Sequence, residues 1–414
     1  MMDGRTRQGL NNPFIALKNK NFKLYWLSMC VSLIGTWMQN IAQPWLAYSL
    51  TQSPLLLSLV GIMQFLPMML FSLFAGIIID RYPIKRILLI TQSASLLVTL
   101  YLAILVWSGQ VQYWHILIAA GALGVVNTFD MPARQSFVAE LVSKENLVNA
   151  IALNSSVFNI ARILGPALAG VIMGTIGIAW CFYINSFSFA AVIISLFFIK
   201  PNAVVKAKIQ GQKVMQSIKE GLKYIKEDPL LLKTIIIVLI VATFAMNFNV
   251  LVPVFSTVVL HQQETGFGFL MSFMGIGSFL GAMFIAVQSK NKPGNLVLIY
   301  FPVILSVFLI FIAFTNSYLF TAFGLAASGF FFVSYASSAN STLLLHTKDE
   351  FRGRVMSIYT LVFGGSTPIG NLYAGLITDK LGAAAGFFAC GAIILALLAL
   401  VLVFRKKLRI NIPY

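Results

Sequence analysis

Long apolar stretches alternate with short polar connections along the whole chain. Each stretch has about 20 residues or more, the length that a helix needs to cross a bilayer, and it ends at charged residues, at Pro and Gly, or at Asn. The pattern predicts an all-α membrane protein with twelve transmembrane helices. The predicted spans are residues 22–50, 55–79, 87–107, 111–131, 149–177, 179–199, 234–260, 267–288, 296–315, 318–345, 355–378 and 383–404.

The composition supports a membrane protein and excludes other classes. Hydrophobic residues occupy 59% of the 414 positions and charged residues 10%, whereas about a quarter of a soluble domain is charged. The net charge of +17 would suit nucleic acid, but the cations separate apolar runs, so no nucleic-acid partner is expected. The three cysteines lie inside apolar runs without metal-ligand spacing. Neither a metal nor another cofactor is predicted.

The positions of the cations predict the topology. Of the 29 Lys and Arg residues, 27 lie in the amino-terminal segment, the even-numbered loops or the carboxyl-terminal tail. Positively charged short loops remain in the cytoplasm, so both termini are predicted to be cytoplasmic. The two exceptions are Arg162, inside the fifth span, and Lys380.

A long polar stretch at residues 200–233 divides the spans into six and six. The predicted units are an amino-terminal bundle, residues 1–199, a basic cytoplasmic linker, residues 200–233, and a carboxyl-terminal bundle with its tail, residues 234–414. The linker is interpreted as a topology-setting segment beside anionic lipid. A regulatory or partner-binding role is the alternative.

Weak internal similarity accompanies this division. Pro44 and Pro253 each follow a polar pair within a span, and Pro166 and Pro368 also correspond, at offsets of about 200 residues. Matches in corresponding spans favour a duplicated unit. They predict two six-helix bundles related by pseudo-symmetry.

Polar residues in the apolar spans are candidates for a substrate pathway. Those of the first, second and seventh spans lie near Pro44 and Pro253, where helix irregularity often lines a cavity. They are Gln39, Gln43, Gln64, Asn247 and Asn249.

Arg162 falls near the middle of the fifth span. An unpaired cation costs several kcal/mol at that depth, so it is expected to face a cavity or a partner. Asn154, Phe158 and Arg162 recur at intervals of four and share one helix face, which is predicted to line the pathway. A tie from Arg162 to a backbone carbonyl is the alternative.

Asp130 is the one acidic residue inside a predicted span. It either forms a structural or gating ion pair at the inner mouth or carries a coupling proton. Pro132 lies between Asp130 and Arg134, so a helical pair between these two charges is not assumed.

The loop after the second span carries Gly76, then Asp80 with Arg81, then Lys85 with Arg86. This spacing resembles a signature of the major facilitator superfamily, although Pro83 stands where the family usually has Gly. Gly76 would permit close helix approach, and Asp80 would bind basic groups or a helix amino terminus of the other half in one transport state. A solvated charge cluster that only fixes topology is the alternative.

The fifth span carries Gly165, Pro166 and Gly170, which resemble a signature of exporters in this superfamily. There the small residues allow close helix approach and the missing proline N–H bends the helix. These residues, the Asp80 loop, the Asp130 and Arg134 pair, and the later cations Arg352 and Arg354 form the predicted gating group.

Several runs in order resemble one branch, the transmembrane secretion effectors. They are residues 37–46, 64–67, 130–135, 161–166 and 352–357. The resemblance implies ion-driven export of a drug or siderophore across the bacterial cytoplasmic membrane. A monomer in contact with lipid is expected. No enzymatic activity is expected, because the sequence has neither an HExxH motif nor paired carboxylates within the spans. The alternatives are a lysophospholipid flippase of the same fold and a non-transporting sensor or scaffold.

Overall fold

The computed structural model describes residues 13–200, 214–288 and 295–403, without the side chains of Leu73, Ile77, Asp80, 214–217 and 295–296. This part of the chain is helical and contains no strand. The helices are α1 Lys20–Thr51, α2 Pro54–Arg81, α3 Ile84–Trp107, α4 Tyr113–Leu141, α5 Leu147–Thr175, α6 Ala179–Phe198, α7 Val214–Glu227, α8 Pro229–Ala245, α9 Phe248–Val258, α10 Glu264–Gln288, α11 Asn295–Ala313, α12 Tyr318–His346, α13 Asp349–Gly365, α14 Thr367–Leu381 and α15 Ala383–Val403.

Nine helical segments of the described chain are long and apolar enough to cross a membrane, and α8 with α9 counts as one of them. The predicted spans outside this group correspond to α1, to α11 and to the pair α13 and α14. The protein is therefore a multi-pass membrane protein. The count of twelve spans remains a prediction.

Polar residues just before apolar runs set several helix starts. The Asn19 side chain accepts a hydrogen bond from the Phe22 N–H at 3.1 Å at the start of α1. Asp228 likewise accepts from the Leu230 and Leu231 N–H groups at 2.9 and 3.1 Å at the start of α8. These side chains satisfy donors that have no partner inside the helix.

The helices pack in two groups that meet along two helix pairs. In the first group α1 packs on α5 and α6, α2 on α4, and α3 on α6. In the second group α10 packs on α12, and α11 packs on α12 and α15. The contacts between the groups are mainly those of α5 with α10 and of α2 with α14.

The irregularity in the seventh span is not at Pro253. Helix α8 ends at Ala245 and α9 begins at Phe248, and α9 contains Pro253. At the break the Asn247 side-chain amide donates to the Thr243 carbonyl oxygen at 3.0 Å, and it thereby competes with the Asn247 backbone N–H for that acceptor. Helix α1 likewise continues through Pro44 without a break.

A second break, which the hydrophobic pattern did not predict, divides the eleventh span at Ser366. Helix α13 ends at Gly365 and α14 begins at Thr367, with Pro368 in its first turn. Proline lacks an N–H, so it is favoured in a first turn, where that group would have no partner. The glycine pair followed by Pro368 is the signal that could have indicated it.

Candidate functional site

A cavity of about 400 Å³ lies between the two groups of helices. Side chains of α1, α2 and α5 line one side, and side chains of α9, α10 and α12 to α14 line the other. Aromatic and methionine side chains provide much of the wall. They are Trp37, Phe65, Phe158, Met246, Phe248, Met271, Met274, Phe332 and Phe363.

Side-chain amides supply most of the polar surface of the cavity: Asn40, Gln43, Gln64, Asn249 and Asn371. Within the described residues, Asn40, Gln64 and Asn249 make no side-chain hydrogen bond, so their donors and acceptors are available to a ligand. Asn371 lies on α14 beside Gly61 of α2, where an added Cβ would lie 3.1 Å from the Asn371 Cγ. Asn40 and Asn371 were not among the predicted site residues.

Arg162 is the one charged residue in the described lining of the cavity. One terminal nitrogen of its guanidinium donates to the Asn159 side-chain oxygen at 2.8 Å, and the group lies 6.0 Å from the centre of the Phe158 ring. The buried Nε has no hydrogen-bond partner among the described residues. The guanidinium is thus held at the cavity wall by a neutral amide and an aromatic ring.

Five of the eight predicted pathway residues line the cavity: Gln43, Gln64, Phe158, Arg162 and Asn249. Three do not line it: Gln39, Asn154 and Asn247. Asn154 is half-buried on the predicted face of α5, but it lies about 12 Å along the helix from Arg162, eight residues at 1.5 Å each. Asn247 caps the end of α8 instead.

Gln39 belongs to a buried polar cluster inside the first half. Its side-chain oxygen accepts hydrogen bonds from Asn185 at 2.6 Å and Thr99 at 3.2 Å, and its nitrogen donates to Gln43 at 3.2 Å. Three helices, α1, α3 and α6, are joined by these bonds. Gln39 therefore holds Gln43, which does reach the cavity.

The small residues of the fifth span allow two close approaches. Gly165 packs against α1, where an added Cβ would lie 3.3 Å from the Ile34 carbonyl oxygen. Gly170 faces Gly268 of α10, and a Cβ at Gly268 would lie 2.6 Å from the Gly170 Cα. The Ser272 hydroxyl also donates to the Ile163 carbonyl at 2.9 Å. Close contact between α5 and α10 therefore requires Gly170 and Gly268.

Pro166 changes the same surface of α5. Because proline has no N–H, the Arg162 carbonyl loses its usual partner four residues on. Gly275 of α10 packs against this carbonyl, and a Cβ at Gly275 would lie 2.6 Å from its oxygen. The proline and the glycine together bring the backbone of α10 to the segment that carries Arg162.

Asp130 lies in a buried network between α3 and α4. Its carboxylate accepts from the Thr91 hydroxyl at 2.6 Å and from the Gln92 amide at 2.7 Å, and it forms an ion pair with Arg134. Helix α4 continues through Pro132, so the helical pair that was not assumed from the sequence is present. Every partner of this carboxylate among the described residues is in the first half.

The charged loop residues make no ion pair between the halves within the described side chains. Arg81 and Arg86 are exposed, and Lys85 donates to the Ile199 carbonyl at 2.8 Å in its own half. A Cβ at Gly76 would have no atom within 4 Å, so the predicted close approach is absent from this conformation. The Asp80 side chain lies outside the described part of the chain.

Arg352 and Arg354 contact their own half and the linker helix α7. Arg352 pairs with Asp349 in the same turn. Arg354 pairs with Glu220 of α7 at 2.9 Å and lies 5.2 Å from the Phe351 ring centre. In this conformation both arginines therefore form ion pairs within the carboxyl-terminal half or with its linker helix, and neither pairs with the amino-terminal half among the described side chains.

A cavity between two groups of membrane helices is the usual place of the substrate site in secondary transporters. This chain belongs to the transmembrane secretion effector family of the major facilitator superfamily, whose family model matches residues 11–411. The resemblance seen in the sequence is thereby confirmed. Transporters of this family are not enzymes.

Three curated relatives are similar over nearly their whole length. The staphyloferrin A transporter of Staphylococcus aureus (strain NCTC 8325 / PS 47) is 25% identical, covering 94% of this chain and 98% of the relative. The multidrug efflux pump Tap of Mycolicibacterium fortuitum is 27% identical, with 91% and 93% covered. Macrolide efflux protein A of Streptococcus pyogenes is 23% identical, with 92% and 96% covered.

Solved structures show the same fold at low sequence identity. The nucleoside transporter NupG matches with a TM-score of 0.75 at 11% identity, over 94% of this chain and 99% of the other. A bacterial homolog of the human lysosomal transporter Spinster matches with a TM-score of 0.69 at 10% identity, over 97% of each chain. These matches show that the chain shares the fold of those two proteins.

Proposed function

We propose that the protein exports a small amphipathic organic molecule, of the drug or siderophore kind, from the bacterial cytoplasm by alternating access. The observation that carries the proposal is the cavity of about 400 Å³ to which both halves contribute. Its aromatic walls and free amides suit a substrate with a large apolar part and several polar groups. The names of the relatives, a siderophore transporter and two efflux proteins, support the same class.

Residues 1–199 and 234–414 are proposed as the two pseudo-symmetric bundles that rock about the cavity, joined by the linker at residues 200–233. In this proposal the contacts at Gly170 and Gly268 open when the halves rock. The loop with Asp80 then approaches the other half, and Gly76 permits that approach.

The proposed location is the bacterial cytoplasmic membrane, with both termini in the cytoplasm. The 27 of 29 cations on one side support this orientation. In this orientation Ser53 and Asp379, whose side chains are hydrogen-bonded at 3.0 Å, lie at the extracellular end of the protein. Arg81 and Arg352 lie at the inner end without an ion pair between the halves among the described side chains. Such an arrangement suits loading of substrate from the cytoplasm.

An ion gradient is the proposed energy source, because the sequence has no GxxxxGK[ST] loop for a nucleotide. Asp130 is proposed as a structural or gating group at the inner mouth. The support for this role is that Arg134, Thr91 and Gln92 already satisfy its carboxylate. The identity of the coupling ion is an outcome of the test below.

The test is accumulation of a compound panel in a bacterial strain that lacks its own major efflux pumps. The panel contains a siderophore, a macrolide, a tetracycline and a fluorescent dye, measured with and without expression of the protein. We expect lower accumulation of at least one compound in expressing cells, and loss of this difference when a protonophore or a sodium ionophore collapses the gradient.

The exposed variant Glu227→Gln serves as the control, and Phe158→Ala with Asn249→Ala removes two cavity side chains. The control should export like the wild type, and the cavity variant should export much less at equal membrane abundance. Equal accumulation of every compound with and without the protein would contradict export. Movement of a labelled lysophospholipid in place of these compounds would favour a flippase.

A further inference from the structure

We infer that the exported molecule carries an anionic group, a carboxylate or a similar oxyanion, that binds Arg162. The inference rests on the proposed function and specifies its substrate class. It depends on the hydrogen bonds of one guanidinium, on the charges around the cavity and on the side chains beside Arg162.

The guanidinium of Arg162 is incompletely paired. It has five N–H donors, and the described residues accept one hydrogen bond from it, at the Asn159 oxygen. Its Nε is buried without a partner among them. Because Arg162 lies near the middle of the membrane helix α5, an unpaired cation is costly there. An anionic ligand would supply the missing acceptors.

The described lining of the cavity contains no Asp or Glu. Asp130, the buried acid of the first half, is occupied by Arg134, Thr91 and Gln92. A cationic ligand would therefore meet a like charge without a counterion, and a neutral ligand would leave the guanidinium without one. A carboxylate can accept two parallel hydrogen bonds from a guanidinium, the strongest pairing that arginine makes.

The surroundings of Arg162 also indicate what accompanies the anion. Trp37 and Phe158 lie edge to face with ring centres 5.6 Å apart, and both line the cavity. An apolar or aromatic group bonded near the carboxylate would pack on these rings. Asn249, in the other half, offers a free amide. The inferred substrate is thus an amphipathic organic acid rather than a cationic drug.

Asn159 is a positioning residue in this arrangement. Its side-chain nitrogen donates to the Ser155 carbonyl at 2.8 Å, and its oxygen accepts from Arg162 at 2.8 Å. The first bond orients the amide so that its oxygen faces the guanidinium. One side of the guanidinium is thereby held against α5 while its other donors remain available.

The test compares two probes that differ only in charge, dansyl-norleucine and its neutral amide. Binding is measured from dansyl fluorescence with the full-length protein in nanodiscs, and empty nanodiscs of the same lipid provide the background. We expect the wild type to bind the carboxylate at least 10-fold more tightly than the amide, as charge-assisted hydrogen bonds imply. Arg162→Gln should weaken carboxylate binding about 10-fold and leave amide binding within about 2-fold.

Two further variants separate charge recognition from folding. Arg162→Lys keeps the cation and should retain part of the preference for the carboxylate. Phe158→Ala should weaken both probes by similar factors, because it removes apolar contact. A structural role for Arg162 alone would change thermal stability without changing the ratio of the two affinities.

The outcomes distinguish this inference from the proposed function. Equal affinity of the wild type for acid and amide, or equal loss of both in Arg162→Gln, overturns the anionic substrate and leaves an amphipathic site. Binding of neither probe by folded protein also overturns the anionic substrate, whereas the proposed export is decided separately by the accumulation panel. Selective loss of the carboxylate in Arg162→Gln, with rescue in Arg162→Lys, supports the inference.

Discussion

The carboxylate of Asp379, near the end of α14, accepts a hydrogen bond from the hydroxyl of Ser53, which precedes α2 in the other half, at 3.0 Å. The same oxygen lies 3.4 Å from the Leu55 backbone nitrogen, which donates to it. A negative charge of the second half therefore sits at the amino terminus of a helix in the first half, where the helix dipole stabilises it.

Replacing Asp379 should favour separation of the two halves at the end of the protein where Ser53 and Asp379 lie. The hydrogen bond is exposed, so Asp379→Asn should remove about 1 kcal/mol and raise the open population several-fold. The measurement is the rate at which a membrane-impermeant maleimide, added outside cells, labels Asn40→Cys in the cavity. Cys30, which is half-buried, is replaced by Ser for this purpose, while Cys181 and Cys390 are buried.

The matched control is Glu145→Gln, an exposed acid at the opposite end of the same half as Ser53. It should leave the labelling rate unchanged. Equal rates in Asp379→Asn and the wild type would show that this hydrogen bond does not hold the halves together.

The contact between Gly170 and Gly268 should not tolerate a methyl group. A Cβ at Gly268 would lie 2.6 Å from the Gly170 Cα and 2.6 Å from the Pro166 carbonyl oxygen. Overpacking of this kind costs about 1–3 kcal/mol. Gly268→Ala should therefore lower the midpoint of thermal unfolding in detergent by a few degrees.

Gly353→Ala is the control for this substitution, because a Cβ there has no atom within 4 Å. It should leave the midpoint unchanged or raise it, since alanine favours a helix over glycine. The same decrease in both variants would mean that the approach of α5 to α10 is not the cause.

The Asp130 ion pair should contribute to stability rather than to coupling. Removing one partner of a buried pair costs about 3–5 kcal/mol, so Asp130→Asn should lower the unfolding midpoint strongly. Arg134→Met in the same chain should recover part of the loss, because it removes the uncompensated charge. Glu227→Gln breaks an exposed pair with Lys223, 3.9 Å apart, and should change little.

The pH dependence of export separates the structural role proposed for Asp130 from the alternative role of proton carrier. With a structural role, Asp130→Asn lowers the rate of export at every pH and leaves the shape of the profile unchanged. A profile that becomes independent of pH would identify Asp130 as the proton carrier.

The linker helix α7 should be held to α13 by aromatic stacking. The rings of Tyr224 and Phe351 are parallel within 5° with centres 4.4 Å apart, and the nearby Arg354 pairs with Glu220. Tyr224→Ala should release α7 and accelerate tryptic cleavage after the exposed Lys219 on the same helix about 10-fold, because cleavage follows the population of the detached helix. Leu222→Ala, an exposed side chain on the same helix, should leave the rate unchanged.

Much of the helical layout was predictable from the sequence, because apolar length and capping residues act locally. Asn19 and Asp228 cap the helices that follow them, and the predicted spans 318–345 and 383–404 differ from α12 and α15 by a residue at most. The breaks were less predictable. The Asn247 amide and Pro368, rather than the prolines at 44 and 253, mark the places where a span divides.

The cavity was predictable only in part, since a membrane helix is apolar on most sides and its sequence does not specify which face meets which neighbour. Gln39 and Gln43 are one turn apart on the same helix, yet one is bonded inside the first half and the other lines the cavity. Asn371 reaches the cavity because Gly61 lets α14 approach α2.

The sequence by itself determined the membrane location, the helical class, the family and the unusual placement of Arg162 within a span. The tertiary structure alone decided that Arg162 faces a cavity, because the other lining residues come from helices that are distant in the chain and the face each helix presents depends on its rotation. It leaves the guanidinium at a cavity wall with one amide acceptor and no acid among the described lining residues.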